Sequence, residues 1–346
     1  FEFIDNFIIK KFSSKKIIIK NSNIFYKAKN DETISIFKIS NLDLFLNIKK
    51  SLNQININGK IYQIPFKLKW SRDFKNDNLN KTIIKMNKLN LKMLNNSFIK
   101  DSKYIADNKL IIGGYTLIFN YEIKKSFIIL KSNNSKLLND NVKYDGLIQL
   151  NPFDLILNIN SKKFDYNKNV FINNFFLEIL KTNLLFNKNL NAKVSFSSED
   201  LINNKLFDNL KIFLNFNNGN INFDKSYLAN NKIGKLNLDR GKIYNEDSQL
   251  VFKGRFNFII KNEVEFFRTF QIPKNSRLKI KNIYFDLEYN LFEKEFQIIS
   301  LKLNNLNIED NDIMLDLIND YNKENEIKNW IDLKSLINKI FIIYDD

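Results

Sequence analysis

Four carboxylates near the C-terminal end, Glu309, Asp310, Asp312 and Asp316, are the densest cluster of residues able to do chemistry. Oxygen ligands suit a hard divalent cation, but a calcium loop sets them at fixed spacing around a central Gly. No Gly lies among these four, and acids gather at helix starts because they meet the positive end of the helix dipole. They read as helix-start acids, and no metal site is expected. Gly113-Gly114 lacks the remainder of a phosphate loop and reads as a turn or bulge. Arg277, just after Pro273, reads as a surface charge or a helix-end contact before it reads as a phosphate ligand.

The chain has no His and no Cys. The commonest general base is therefore missing, and so are Ser-His and Cys-His nucleophile pairs. A disulfide framework and a Cys/His zinc site are excluded outright. The reading is of a protein that is not an enzyme, with no catalytic residue and no cofactor.

The formal net charge of +16 invites a nucleic-acid or anionic-membrane reading. Only five of the 54 cations are Arg, at 72, 240, 255, 268 and 277. Phosphate and base readers lean on the bidentate Arg fork. The Lys excess rises together with Asn, Ile, Phe and Tyr, as an AT-rich genome dictates. No nucleic-acid partner is expected, and Lys15-Lys16 and Lys49-Lys50 read as solvated. No apolar run approaches the roughly 18–20 residues that span a bilayer. The chain opens on Phe1-Glu2-Phe3 without Met and reads as an excerpt of a longer or processed polypeptide.

What must carry function is then the pattern of the elements. Apolar and polar side chains alternate with period two in about twenty short segments, the signature of strands with one greasy and one wet face. The clearest is Gln249–Lys261. Leu250, Phe252, Phe256, Phe258 and Ile260 share one face, Gly254 fills the gap on it, and Lys253, Arg255 and Asn257 point away. Similar sets are Leu42/Leu44/Leu46/Ile48, Ile55/Ile57/Ile61, Ile64/Phe66/Leu68/Trp70, Leu89/Leu91/Met93 and Ile283/Phe285/Leu287/Tyr289/Leu291. Asn218-Gly219 is a hairpin turn signal. With only eight glycines, Asn takes much of the left-handed backbone. Short links imply an antiparallel meander without βαβ crossovers.

Helical signals are few. Ser198-Glu199-Asp200 reads as the cap of a short helix to about Leu210. Asn262–Ile272 places Val264, Phe267 and Phe270 on one stripe and stops at Pro273. Phe266, Phe267 and Phe270 are expected to anchor that helix on the sheet. Ile313–Tyr321 and Ile327–Ile343 are helical in pattern, the latter through Trp330, Leu333, Ile337 and Phe341, and this tail is expected to cap the end of the sheet.

Residues 206–298 hold a further signal. Leu206-Phe207-Asp208-Asn209-Leu210 precedes a strand, Asn218-Gly219-Asn220-Ile221 and Ile233-Gly234-Lys235-Leu236. Leu250-Val251-Phe252-Lys253-Gly254, a short helix ending in Phe270-Gln271-Ile272-Pro273-Lys274, Arg277 and the strand Ile283–Leu291 follow. This order resembles the C-terminal region of AsmA-like proteins, the wider AsmA/TamB/YhdP group of Gram-negative bacteria. The resemblance implies an inner-membrane-anchored periplasmic protein, with its anchor upstream, that moves phospholipid between inner and outer membranes in outer-membrane assembly. It also implies a long twisted antiparallel β-sheet folded into an open groove with an apolar interior.

Physical reasoning reaches the same fold. Carrying one acyl chain of ~16 carbons through water exposes apolar surface worth on the order of 12 kcal/mol, and a trough lined by one face of every strand removes most of that barrier. About twenty strands at about 4.8 Å each would give a trough of roughly 95 Å, lined by aliphatic and aromatic residues without hydrogen-bonding specificity.

The expected organisation is a continuous mainly β groove domain over 1–312, with the AsmA-like region at 206–298, a helical tail over 313–346, and few short helices. The expected groove lining is Leu236, Leu238, Leu250, Phe252, Phe256, Phe258, Phe285 and Leu287. The expected partners are phospholipid or another acyl lipid, a membrane reached through a segment outside this sequence, and other envelope proteins. The competing expectation is a structural or adhesive β-scaffold of the envelope without a lipid, whose apolar face is covered by protein.

Overall fold

The computed structural model describes residues 15–27, 33–47, 52–73, 79–100, 103–112, 115–124, 127–132, 135–137, 140–150, 152–165, 170–182, 184–204, 206–246, 249–304, 306–307, 312–324 and 330–345. The chain is mainly β, with antiparallel strand pairing and few helices among the described residues. It divides into two compact units, one of residues 1–160 and 171–192, the other of residues 161–170 and 193–346.

The first unit is a meander of β1 (Lys15–Lys27), β2 (Thr33–Asn47), β3 (Leu52–Ile61), β4 (Ile64–Asp73), β5 (Leu79–Met86), β6 (Leu91–Lys100), β7 (Lys103–Ile112), β8 (Tyr115–Lys124) and β9 (Phe127–Ser132). Each pairs with the next, and β11 (Asp140–Leu150) pairs with β9. The short β10 (Ser135–Leu137) bridges β8 and β11, and β12 (Phe153–Asp165) follows. The helix α1 (Val170–Leu180) adds Glu178, which pairs with Lys88 at 3.6 Å and Lys181 at 2.7 Å.

Register aligns the apolar side chains into rows. Leu42, Ile57, Leu68, Ile84, Met93, Leu110 and Leu117 face one another in turn across β2 to β8. Four residues along each strand, the same face changes character. Asn53, Arg72, Asn80, Ser97, Ala106 and Tyr121 form a largely polar row, of which Asn53, Asn80 and Ser97 are buried. Between the rows, Asn95 Nδ2 donates to Asn108 Oδ1 at 2.8 Å and to the Tyr121 hydroxyl at 3.0 Å. Asn108 Nδ2 donates to the Ala106 and Phe119 carbonyls. Buried amides need such partners, so this face of the first unit carries side-chain hydrogen bonds beside its apolar row. Leu89 is also corrected. It closes a 3-10 turn, Asn87–Leu89, that ends at a left-handed Asn90, and is not part of the strand of Leu91 and Met93.

The second unit runs β13 (Asn191–Ile202), β14 (Asn209–Asn217), β15 (Asn220–Asn222), β16 (Ser226–Asn230), β17 (Gly234–Glu246), β18 (Gln249–Ile260), α2 (Glu263–Phe270), β19 (Asn282–Asn290), β20 (Glu295–Leu303), β21 (Leu306–Asn307), α3 (Asp312–Glu324) and α4 (Trp330–Asp345). Strands β17 to β21 pair in chain order, while β15 and β16 bridge β14 to β17. The β14–β15 turn is Asn218-Gly219, with φ of 51° and 74°. Positive φ at both central residues is the type I′ geometry that matches strand twist. Asn also takes positive φ at 21, 90, 203 and 304.

The helix expected from Ser198 to Leu210 is absent. Residues 191–202 are strand β13, and the Ser198 hydroxyl donates to the Asp200 carbonyl at 3.0 Å instead of capping a helix. Asn204 Oδ1 accepts from the Leu206 and Phe207 amides, both at 2.9 Å, and this side-chain turn directs the chain into β14. The helix after Asn262 is present. Asn262 caps it by accepting from the Val264 and Glu265 amides, and Gln271 ends it in left-handed backbone. Val264 is corrected: it is 68% exposed, whereas Phe266, Phe267 and Phe270 are buried. Gly113-Gly114, Lys49-Lys50, Ile48, Glu309 and Asp310 lie outside the described residues.

Candidate functional site

The eight residues expected to line a groove lie in the second unit on one face of β17, β18 and β19. Leu236, Phe258 and Ile283 form one cross-strand row, and Leu238, Phe256 and Phe285 the next. Gly241, Gly254 and Leu287 follow, then Ile243, Phe252 and Tyr289, with Leu250 beyond Phe252 on β18. A bulge between Leu238 and Arg240 inserts Asp239 and keeps Gly241 and Ile243 on the apolar face.

The face is covered at one end. Phe258 is 2% exposed and meets three rings, Phe207 at 6.1 Å, Phe266 at 5.7 Å and Phe270 at 6.1 Å. Phe266 and Phe267, both on α2, touch Phe341 of α4 at 5.9 and 6.0 Å. Leu236, Phe258, Ile283, Leu301, Leu303, the three α2 phenylalanines, and Leu336, Ile337, Ile340 and Phe341 belong to a single buried core. Two Asn side chains fix the tail helices there. Asn338 Nδ2 donates to the Phe270 and Gln271 carbonyls. Asn322 accepts from the Ile298 amide at 2.8 Å and donates to its carbonyl at 3.0 Å, as a neighbouring strand would. Arg277 Nε donates to the Ile272 carbonyl at 3.1 Å, and its guanidinium lies 5.6 Å from the Phe267 ring, so it is a helix-end contact.

Farther along the strands the rings are only half-buried. Phe223, Phe252, Phe256 and Phe285 form a chain, with centroids 5.6, 6.4 and 5.0 Å apart and the last pair stacked at 7°. Gly254 makes this possible. A Cβ there would meet Phe256 at 2.7 Å and Phe252 at 2.8 Å, so the two rings lean into its gap. Phe223 was not among the expected lining residues, though its alternation with Ile221 was a signal for it. The expected set thus divides. Leu236 and Phe258 belong to the helix-covered core. Phe252, Phe256 and Phe285 keep partial exposure, and Leu238, Leu250 and Leu287 are buried between neighbours.

The opposite face is wet and paired. Arg255 holds Asp286 through two hydrogen bonds of 2.8 and 2.9 Å, Ser300 adds a third at 3.1 Å, and Lys253 meets Glu288 at 2.9 Å. The Arg255 guanidinium, ahead of the Ser300 hydroxyl, holds the Asp286 carboxyl below the usual carboxylate range. Lys181, then Lys88, does the same for Glu178. Burial pushes the Tyr115 and Tyr144 hydroxyls upward. These carboxylates are ion-pair members, ionised at neutral pH, and none is poised as a proton donor.

A polar cavity of about 460 Å³ is lined by Asn231, Lys232, Lys261, Asn262, Glu265 and Arg268. Its groups bond locally, with Lys261 Nζ on the Asn231 carbonyl, Asn262 on the α2 amides and Arg268 on Glu265. Among the described residues no three His, Cys, Asp or Glu side chains gather as metal ligands. Among them, too, no helix is long and apolar enough to cross a membrane. No protein-family model, curated protein or solved structure matches this chain.

Proposed function

We propose that this protein binds or conducts phospholipid, or another acyl lipid, along the apolar face of its sheet. It would act without catalysis, in envelope biogenesis between the inner and outer membranes of a Gram-negative bacterium. The observation that carries the reading is the chain of half-buried rings Phe223, Phe252, Phe256 and Phe285 on an otherwise apolar face. The exposed part of these half-buried rings is apolar area left in water unless an apolar partner covers it, although Phe256 and Phe285 also pack against the buried core. Lipid tails supply such cover without directional hydrogen bonds, and Phe offers bulk with no polar atom to satisfy. The periplasmic setting and an upstream anchor come from the AsmA-like resemblance of residues 206–298.

A second reading, a lipid-free envelope scaffold, is favoured by the core under α2 and α4, where protein covers the same face. Uptake of fluorescent phospholipid from vesicles separates the two. Lipid transport predicts uptake by the wild type that is lost in Phe252→Asp with the fold intact by circular dichroism. The scaffold reading predicts no uptake by either protein.

A further inference from the structure

A glycine inside a strand weakens it and marks a bulge, a tight bend or a close approach. At Gly59, Gly146 and Gly234 the approach is by protein, because a backbone carbonyl oxygen lies within 3.0 Å of where a Cβ would sit. At Gly241 the chain leaving β15 passes close by. The Gly241 amide donates to Asp224 Oδ1, and its carbonyl accepts from the Phe223 amide. Gly254 differs from all four. Strand β18 runs through it with no shift of register against β19. The three atoms nearest its Cβ position are ring carbons, one of Phe256 at 2.7 Å and two of Phe252 at 2.8 and 2.9 Å. Only the far ends of side chains occupy the space that Gly254 leaves.

We infer that Gly254 is the seat for one segment of an acyl chain and that the Phe252 ring is its movable cover. The inference rests on the lipid-binding reading and names where on the face the chain lies. The two rings over the seat are held differently. Phe256 stacks on Phe285 at 5.0 Å and packs with it against the buried core. Phe252 is half-buried, and its ring neighbours are Phe223 at 5.6 Å and Phe256 at 6.4 Å. Turning the Phe252 ring away uncovers a floor made by Gly254 and Gly241, which lie directly opposite each other on strands about 4.8 Å apart. The walls are Leu238, Ile243, Phe256 and Leu287, all apolar. Such a seat offers a ligand no side-chain hydrogen bond. It therefore suits methylenes, and a polar ligand would lose its water there without compensation. With no lipid bound, the ring over Gly254 keeps the floor dry.

The test is fluorine NMR on the full chain with 4-fluorophenylalanine placed singly at 252, 256 or 258, before and after loading from phosphatidylglycerol vesicles. The Phe252 signal is expected to shift on loading, and that of Phe258, enclosed under α2, to stay. In parallel, Gly254→Leu fills the seat and is expected to lower uptake at least about tenfold with circular dichroism unchanged. If that variant fails to fold, the NMR comparison alone decides. A wild type that takes up no lipid removes the lipid-binding reading and this inference with it. A wild type that loads lipid while the Phe252 signal stays, or while Phe258 shifts as much, overturns the seat alone. So does a folded Gly254→Leu that loads as the wild type does.

Discussion

Phe258 and Phe252 point to the same side of the same strand, yet truncating them should have very different costs. Phe258 is 2% exposed and enclosed by Phe207, Phe266 and Phe270. Phe258→Ala loses the whole transfer free energy of a ring and leaves a cavity under α2 that its neighbours cannot fill, a loss of about 4 kcal/mol. Phe252 is half-buried, with Phe223 and Phe256 as ring neighbours. Its truncation forfeits about half the transfer term, and the vacated space opens to water, so about 1–2 kcal/mol is expected. With a urea m-value of about 2 kcal/mol/M, Phe258→Ala should move the midpoint by about 2 M and Phe252→Ala by under about 1 M. Equilibrium urea unfolding followed by circular dichroism reads both shifts. Equal shifts, or a larger one for Phe252→Ala, would refute the division of this face into a covered and an open part.

Three further outcomes follow from local geometry. Gly234 has φ of +151°, and a Cβ would sit 2.1 Å from the Ile259 carbonyl oxygen. Gly234→Ala should therefore cost at least about 2 kcal/mol in the same urea assay. Asn218→Ala should cost about 1 kcal/mol, because alanine lacks the tolerance for left-handed backbone that the type I′ turn requires, and Asn218→Gly should be near neutral. Asp286, held low by Arg255, stabilises the fold above its unfolded-state pKa of about 3.9, and that contribution disappears as pH falls through the folded value. Both partners are partly exposed, so the effect is at most about 1 kcal/mol. Urea midpoints should fall less between about pH 6 and about pH 3 for Asp286→Asn than for the wild type.

Where side chains alternate without interruption, the sequence alone located both the strand and its faces. β18 is the best case, because its period of two runs from Leu250 to Ile260 through Gly254. Asn218-Gly219 was legible for a different reason, since the residue pair itself has the required backbone freedom. The false helix at 198–210 shows where local signals mislead. Ser, Asp and Asn cap helices and also make turns, and only the fold decides which. Here the fold places Ser198 within strand β13 and uses Asn204 as the turn-former. Val264 was misplaced because a short helix has too few turns to define its stripe, and Phe266 with Phe270 took the buried side. The polar row of Asn53, Asn80 and Ser97 was hidden because register across many strands, and not sequence spacing, brings those residues into line. Among the candidate site residues, the shared face was readable from periodicity. The cover over Phe258 was not, because it depends on the tertiary docking of α2 and α4.

The claim that most needs a direct test is that the half-buried aromatic row of Phe223, Phe252, Phe256 and Phe285 takes up lipid. Native mass spectrometry of the purified chain, paired with lipid extraction from the same sample, reads the occupant without assuming its identity. The account predicts phospholipid that co-purifies with the wild type and is lost from Phe252→Asp combined with Phe256→Asp, with circular dichroism unchanged. A folded chain that carries no lipid and acquires none from labelled vesicles would contradict it.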